Sequence, residues 1–235
     1  MSEEKEIKKK GLEKINLDSK DNVMKFLQQS TIKIAETFTG LLVSSREDWK
    51  LSAGKLIQAV IKSSFLTQLG REIEEYRDKG KIKEDYFATH KQRATLIELL
   101  KFIDEEVPDN ERFNAIKSIF FNSIAKDASE RDEILGYELL KLCRKLTSGD
   151  ILVLKSCYRN IDSMKDFQET INWLNKVSED IHLPIRLIEL YEKNLMSLNL
   201  LSGRHGKSQD IIAAGVNGRI TDLGAELYKF ITKQL

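Results

Sequence analysis

Only two prolines, Pro108 and Pro184, interrupt a chain of 235 residues. A helix interior cannot hold proline, because the residue lacks an N–H and its ring clashes with the preceding turn. Long helices are therefore open to this chain almost everywhere, and from Asn22 onward its apolar residues recur at helical spacing. Hydrophobic residues make up 41% of it and charged residues 32%, enough apolar material for one large domain or two small ones.

Lysine and arginine nearly balance aspartate and glutamate, for a formal charge of +1. That balance argues against a strongly basic nucleic-acid binder and leaves local patches open. Cys143 and Cys157 sit in apolar runs with no CxxC and no histidine at ligand spacing, and are expected as reduced, buried thiols. The opening MSEEKEIKKK lacks the apolar stretch of a secretory signal, and no apolar run reaches about 18 residues. A cytoplasmic protein is expected.

Residues 1 to 20 alternate lysine with glutamate and are expected as a flexible charged arm. A helical domain, an N-terminal helical bundle, is expected over 21–146. Its first helix presents Val23, Phe26, Ile34, Phe38 and Leu41 on one face and ends near Ser44. Ser45 and Asp48 have capping-box spacing and open a long second helix, with Trp49, Val60, Ile61, Ser64, Phe65, Leu69 and Ile73 on its apolar side and Gly80 as its C-cap. Lysines alternate with apolar clusters from Leu51 to Leu69, which suits a membrane-surface helix as well as a core one. The third helix carries Phe87, Leu96, Leu99 and Ile103 and must stop near Val107, since the residue before a proline avoids helical geometry. Pro108 then suits the first turn of the fourth helix, whose Phe113, Ile116, Phe120 and Phe121 form the densest aromatic face. A fifth helix, capped by Ser129 and Asp132, places Ile134, Leu139, Cys143 and Leu146 inward.

LTSGD supplies a stop with Gly149 and a fresh cap from Thr147 or Ser148, and the domain boundary is placed there. Over 147–235 the chain reads as helices at Ile151 to Asn160, Lys165 to Asp180 and Pro184 to Asn199. Asn199 is expected in the left-handed conformation. A β-compatible run, Asp210 to Ala213, and the hairpin signal Asn217-Gly218 follow, then a return strand at Ile220. Thr221 or Asp222 caps a last helix with Leu223, Leu227, Phe230 and Ile231 inward. This is the order of a winged helix-turn-helix with a small β-hairpin. The fold class expected is mainly α, an N-terminal helical bundle followed by that C-terminal domain.

Catalytic signatures are missing. GRHGKS, Gly203 to Ser208, has Leu201 where a phosphate-binding loop requires glycine, and strand-like residues follow it where a helix is needed. His90, His182 and His205 belong to no metal-ligand pair, and Asp104, Glu105, Glu106, Asp109 and Glu111 lack the spacing of a calcium loop. No enzyme activity, cofactor, metal or small-molecule substrate is expected.

In a winged helix the third helix enters the major groove. Its exposed positions here read as Arg186, Glu189, Glu192, Lys193, Asn194 and Ser197, and two carboxylates there would repel phosphate. Arg204, Lys207 and Arg219 partly compensate. The residues expected to contact a partner or nucleic acid are Arg186, Lys193, Asn194, Arg204, Lys207 and Arg219. A non-enzymatic protein-interaction or regulatory role, through a protein partner or self-association, is the first reading. A DNA-binding regulator is the alternative, and a membrane-acting effector the second alternative.

The segments ERFNAIKSIFFNSIAKD, LTSGDILVLKSCYR, LPIRLIELYEKNLMSLNLLS and GRITDLGAELYKFI resemble the Abi-alpha-like family of bacterial proteins over residues 85 to 235. The shared pattern includes I-T-x-x-G near the end, here Ile220, Thr221 and Gly224. The resemblance implies a helical protein with a winged-helix-like C-terminal part, linked to abortive infection and phage defence. It supplies no catalytic residue.

Overall fold

The computed structural model describes residues 49–86, 88–160, 173–203 and 219–233. The expected charged arm, the first expected helix, the Ser45/Asp48 cap, Phe87, the Asp210 to Ala213 run and the Asn217-Gly218 turn lie outside them. The protein is mainly helical. Among the described residues there are eight helices: α1 Trp49–Asp78, α2 His90–Glu106, α3 Asn110–Ser123, α4 Glu130–Cys143, α5 Ser148–Arg159, α6 Trp173–Ile181, α7 Ile185–Ser197 and α8 Asp222–Thr232. Extended pairing among these residues consists of two isolated antiparallel bridges, Ile82 with Ala125 and Leu201 with Ile220. The chain divides into two compact units, Met1–Val107 with Ile124–Asp127, and Pro108–Ser123 with Ala128–Leu235. The boundary expected at Thr147 falls inside the second.

In the first unit α1 runs for 30 residues. It buries Phe65, Leu69 and Ile73, spaced by four, so that they stack along one side. Val60 and Ser64, expected inward, lie off that stripe and are exposed, and Ile61 is exposed although it precedes Phe65 by one turn. Gly80 closes the helix at a φ of +63°, a conformation that costs a side chain about 1–2 kcal/mol. There the N–H groups of Gly80 and Lys81 donate to the carbonyls of Arg77 and Tyr76. Helix α2 opens with a capping box missed in the sequence: Thr89 Oγ1 accepts from the Gln92 N–H at 3.1 Å, and Gln92 Oε1 from the Thr89 N–H at 3.2 Å. It ends as expected before Pro108, with Val107 left-handed at φ 45°. Lys62 and Asp104 join α1 to α2 at 3.0 Å.

In the second unit α3 touches α4, α5 and α8, and its Phe113, Ile116 and Phe120 are buried. Asp109 Oδ1 accepts from the Arg112 N–H at 3.0 Å. Asp109 is therefore the cap, and Pro108 precedes it, outside the first turn where it was expected. Ser129 and Asp132 form the expected capping box of α4, and the Ser129 N–H holds the Asp132 carboxyl below the usual range. Leu139 and Cys143 of α4 are buried, whereas Ile134 is exposed. The α8 carbonyls of Phe230 and, just beyond, Lys233 accept from Asn122 Nδ2 at 2.8 and 3.0 Å. Tyr158 of α5 and Tyr228 of α8 stack with ring centres 3.6 Å apart. Leu227, Phe230 and Ile231 are buried as expected, while Leu223 is exposed.

Asn199 is left-handed at φ 58°, as expected, which turns Leu200 and Leu201 into the interior. Thr221 caps α8, accepting from the Gly224 N–H at 3.0 Å and donating to the Asn199 carbonyl at 2.5 Å. A Cβ on Gly224 would strike the Leu200 carbonyl oxygen, and one on Gly149 would enter the Tyr191 ring. The I-T-x-x-G pattern thus has a physical basis: a bridge residue, a cap, and a glycine that lets α8 approach the backbone after α7. Gly224→Ala and Gly149→Ala are each expected to cost about 1–3 kcal/mol, the range for overpacking a tight site. Gly203→Ala, with open space around its Cβ, is expected to change urea-unfolding stability by less than about 0.5 kcal/mol.

Candidate interaction face on α7

Helix α7 begins after Pro184, which occupies the N-cap and not the first turn, and has no side-chain cap. Its buried residues are Ile188, Glu192 and Leu195. These are spaced i, i+4 and i+7, a regular helical stripe in which the middle member is a carboxylate.

Arg219 explains why Glu192 can sit there. The two side chains form an ion pair through Arg219 Nη1 and Glu192 Oε1, with exposures of only 5% and 3%. Arg219 Nη2 also donates to the Ser202 carbonyl at 2.7 Å and meets Met196 Sδ at 3.6 Å. The guanidinium carbon lies 4.7 Å from the centre of the Trp173 ring, within reach of a cation–π attraction. One side chain thus ties α6, α7 and the segment leading into α8. Ser202 completes the join, its N–H donating to the Arg219 carbonyl at 2.7 Å.

The expected contact residues separate into two sets. Arg219 and Asn194 point inward. Asn194 Nδ2 donates at 2.8 Å to Asp150 Oδ2, which also accepts from the Thr147 N–H and Oγ1, each at 2.7 Å. Asp150 is fully buried, and this carboxylate serves as both the capping-box acid of α5 and the anchor of α7. Arg186 and Lys193 are exposed, while Arg204 and Lys207 lie outside the described residues. Glu192, expected beside them on the surface, is withdrawn. Glu189 is half-buried.

The surface of α7 is more apolar than the sequence reading proposed. Leu187, expected inward, is 40% exposed, Ile185 38% and Leu190 60%. Leu190, Arg186, Lys193 and Ser197 share one exposed face, with Leu187 on its flank. The misplacement of Leu187 follows from Glu192: a charge on the buried stripe reads as solvent-facing, and the apparent apolar face rotates by one residue. The detectable signal was that Glu192 lies four after Ile188 and three before Leu195. Trp173, Met196 and Ser202 carried no signal, because only the fold brings them to Arg219.

Other chemistry-bearing residues are dispersed. His90 and His182 are exposed, and His205 lies outside the described residues. Among the described residues no group of three His, Cys, Asp or Glu could hold a metal ion. Asp104 meets Lys62 and Glu111 meets Lys155, while Asp109 caps α3 and accepts from the Ser148 hydroxyl. Gly203 is described, but the rest of GRHGKS lies outside the described residues. No described helix is long and apolar enough to cross a membrane. Within Leu51 to Leu69, Phe65 and Leu69 are buried and Val60 and Ile61 exposed.

Comparison of the chain with protein-family models, curated proteins and solved structures finds no match in any of the three.

Glu192→Leu strands a buried guanidinium, and a loss of about 3–5 kcal/mol in urea unfolding is expected. The double variant Glu192→Leu/Arg219→Met should lose far less. A double variant as unstable as the single one would show that the pair itself, and not the stranded charge, is what matters. Cys143 and Cys157 are free and buried, and burial pushes both thiols up to about 12. At pH 8 both are therefore neutral, and iodoacetamide is expected to label neither in native protein and both in urea.

Proposed function

We propose that this chain is a non-enzymatic protein-interaction or regulatory protein whose C-terminal part is a winged-helix-like module. Support for the module comes from the order α5, α6, α7, from the Leu201–Ile220 bridge and from α8 after it. In this reading α7 is the third helix, and residues 202–219 lie between the two bridge positions. The resemblance to Abi-alpha-like proteins suggests a bacterial phage-defence setting.

The observation that carries the interaction role is the outer face of α7. Leu187 and Leu190 are large, apolar and exposed, and their spacing of three makes them neighbours on this helix. Surface apolar clusters of this kind are what protein contacts cover. Burying a leucine is worth about 1.5–3 kcal/mol, and phosphate offers no apolar surface to supply it.

DNA binding is the second reading, favoured by one specific observation. With Glu192 withdrawn into its pair with Arg219, the exposed face of α7 bears Arg186 and Lys193, which removes much of the repulsion expected from two carboxylates. The same pair also withdraws Arg219, so the gain for DNA is partial.

A labelled duplex titrated by anisotropy at rising salt separates the two. The interaction reading expects weak, sequence-indifferent association at most, equal in wild type and Leu190→Ser. Tight binding that falls with roughly one power of salt per phosphate contact, and that Arg186→Glu/Lys193→Glu abolishes, would replace it with the DNA reading.

A further inference from the structure

Taking the outer face of α7 as an interaction surface, we infer that its occupant is an acidic protein segment with an apolar centre, whose carboxylates bracket the site that receives Leu190. Leu190 stands in the middle of the exposed face, with Arg186 one turn before it and Lys193 one turn after. The cations are seven residues apart in sequence, about 10 Å along a helix. Among the described residues neither meets a carboxylate. On the neighbouring helices the pattern is the opposite: Lys155 pairs with Glu111, Arg159 with Asp180 and Lys229 with Glu226. Two unmatched cations flanking an exposed leucine form an apolar centre with a charged rim, the arrangement of a protein interface, and its complement is anionic. Glu189, half-buried on one flank, directs that complement to the side bearing Arg186, Leu190 and Lys193.

A second copy of the chain fits this face poorly. Symmetric antiparallel packing about Leu190 sets Arg186 beside the other copy's Lys193, a like-charge contact made twice by symmetry. A nucleic-acid backbone satisfies the cations but leaves Leu187 and Leu190 against charged oxygens. An acidic amphipathic helix meets both demands, laying an apolar stripe on Leu190 and carboxylates two turns apart on the cations.

The full chain is panned against a phage-displayed library of helical peptides with randomised surface positions. Selected peptides are then measured by fluorescence anisotropy against wild type, Leu190→Ser and Arg186→Glu/Lys193→Glu. Circular dichroism and urea midpoints establish that each variant is folded, which substitution at exposed positions should permit. Selected peptides are expected to be rich in Asp and Glu two turns apart, and to bind each variant at least about tenfold more weakly. Panning the charge-reversed variant should return basic peptides. Peptides that need Leu190 but show no acidic bias, or that ignore the charge reversal, overturn the acidic partner and leave the interaction face standing. If no peptide depends on Leu190, both readings fall. A duplex that displaces the peptides through Arg186 and Lys193, and binds Leu190→Ser as well as wild type, assigns the face to nucleic acid and overturns the inference.

Discussion

A guanidinium removed from water must be met by an opposite charge and by hydrogen-bond acceptors, or it destabilises the fold by several kcal/mol. Arg219 is in that position, and the arrangement of α6, α7 and the entry to α8 answers it with Glu192, the Ser202 carbonyl and the Trp173 face. Such a pair adds little stability over a packed apolar alternative. What it adds is register, because an arginine with three kinds of partner accepts few rotations of α7. The outward direction of Arg186, Leu190 and Lys193 depends on that constraint.

A second polar anchor lies two residues further along the same helix, at Asn194. Asp150 caps α5 through Thr147 and holds Asn194 with the same oxygen. Close by, Gly149 lets Tyr191 lie against the first turn of α5. Helix α7 is thus held by two buried carboxylates, one its own and one from α5, with the buried Ile188 and Leu195 on either side of the anchored positions. Both interactions use side chains that composition alone would assign to the surface, which is why the exposed face of α7 holds leucines in their place.

Local signals in the sequence were dependable at several helix ends, where the physics is local, although the Thr89–Gln92 capping box went unread. Thr147, one of the two expected caps of α5, Ser129 with Asp132, Asn199 in the left-handed region and the stop before Pro108 all depend on neighbours within a few positions. The aromatic face of α3 was legible for the same reason, since its residues share one helix stripe. The candidate site was legible only in part. Arg186 and Lys193 are exposed as expected, but Glu192, Asn194 and Arg219 turn inward because their partners, Glu192 with Arg219 and Asn194 with Asp150, lie 27 and 44 positions apart. Periodicity treats every charge as solvated, and it misjudges the face whenever a charge is paired within the core.

The Asn122 amide has a kinetic implication. It donates to the Phe230 carbonyl across 108 residues of chain, and its neighbour in α3, Phe120, is buried. Closing a loop of that length costs roughly 4 kcal/mol of chain entropy, recovered only when α8 arrives. Helices α3 and α4 can meet early, because few residues separate them. Until α8 docks, the Asn122 amide has only the Ser118 carbonyl of its own helix, at 3.0 Å, and water as partners, and the surrounding face stays open to solvent. The second unit therefore has a built-in order of assembly, with an early hairpin and a late closure, and the exposed aromatic surface between those two events is where premature association would be most costly.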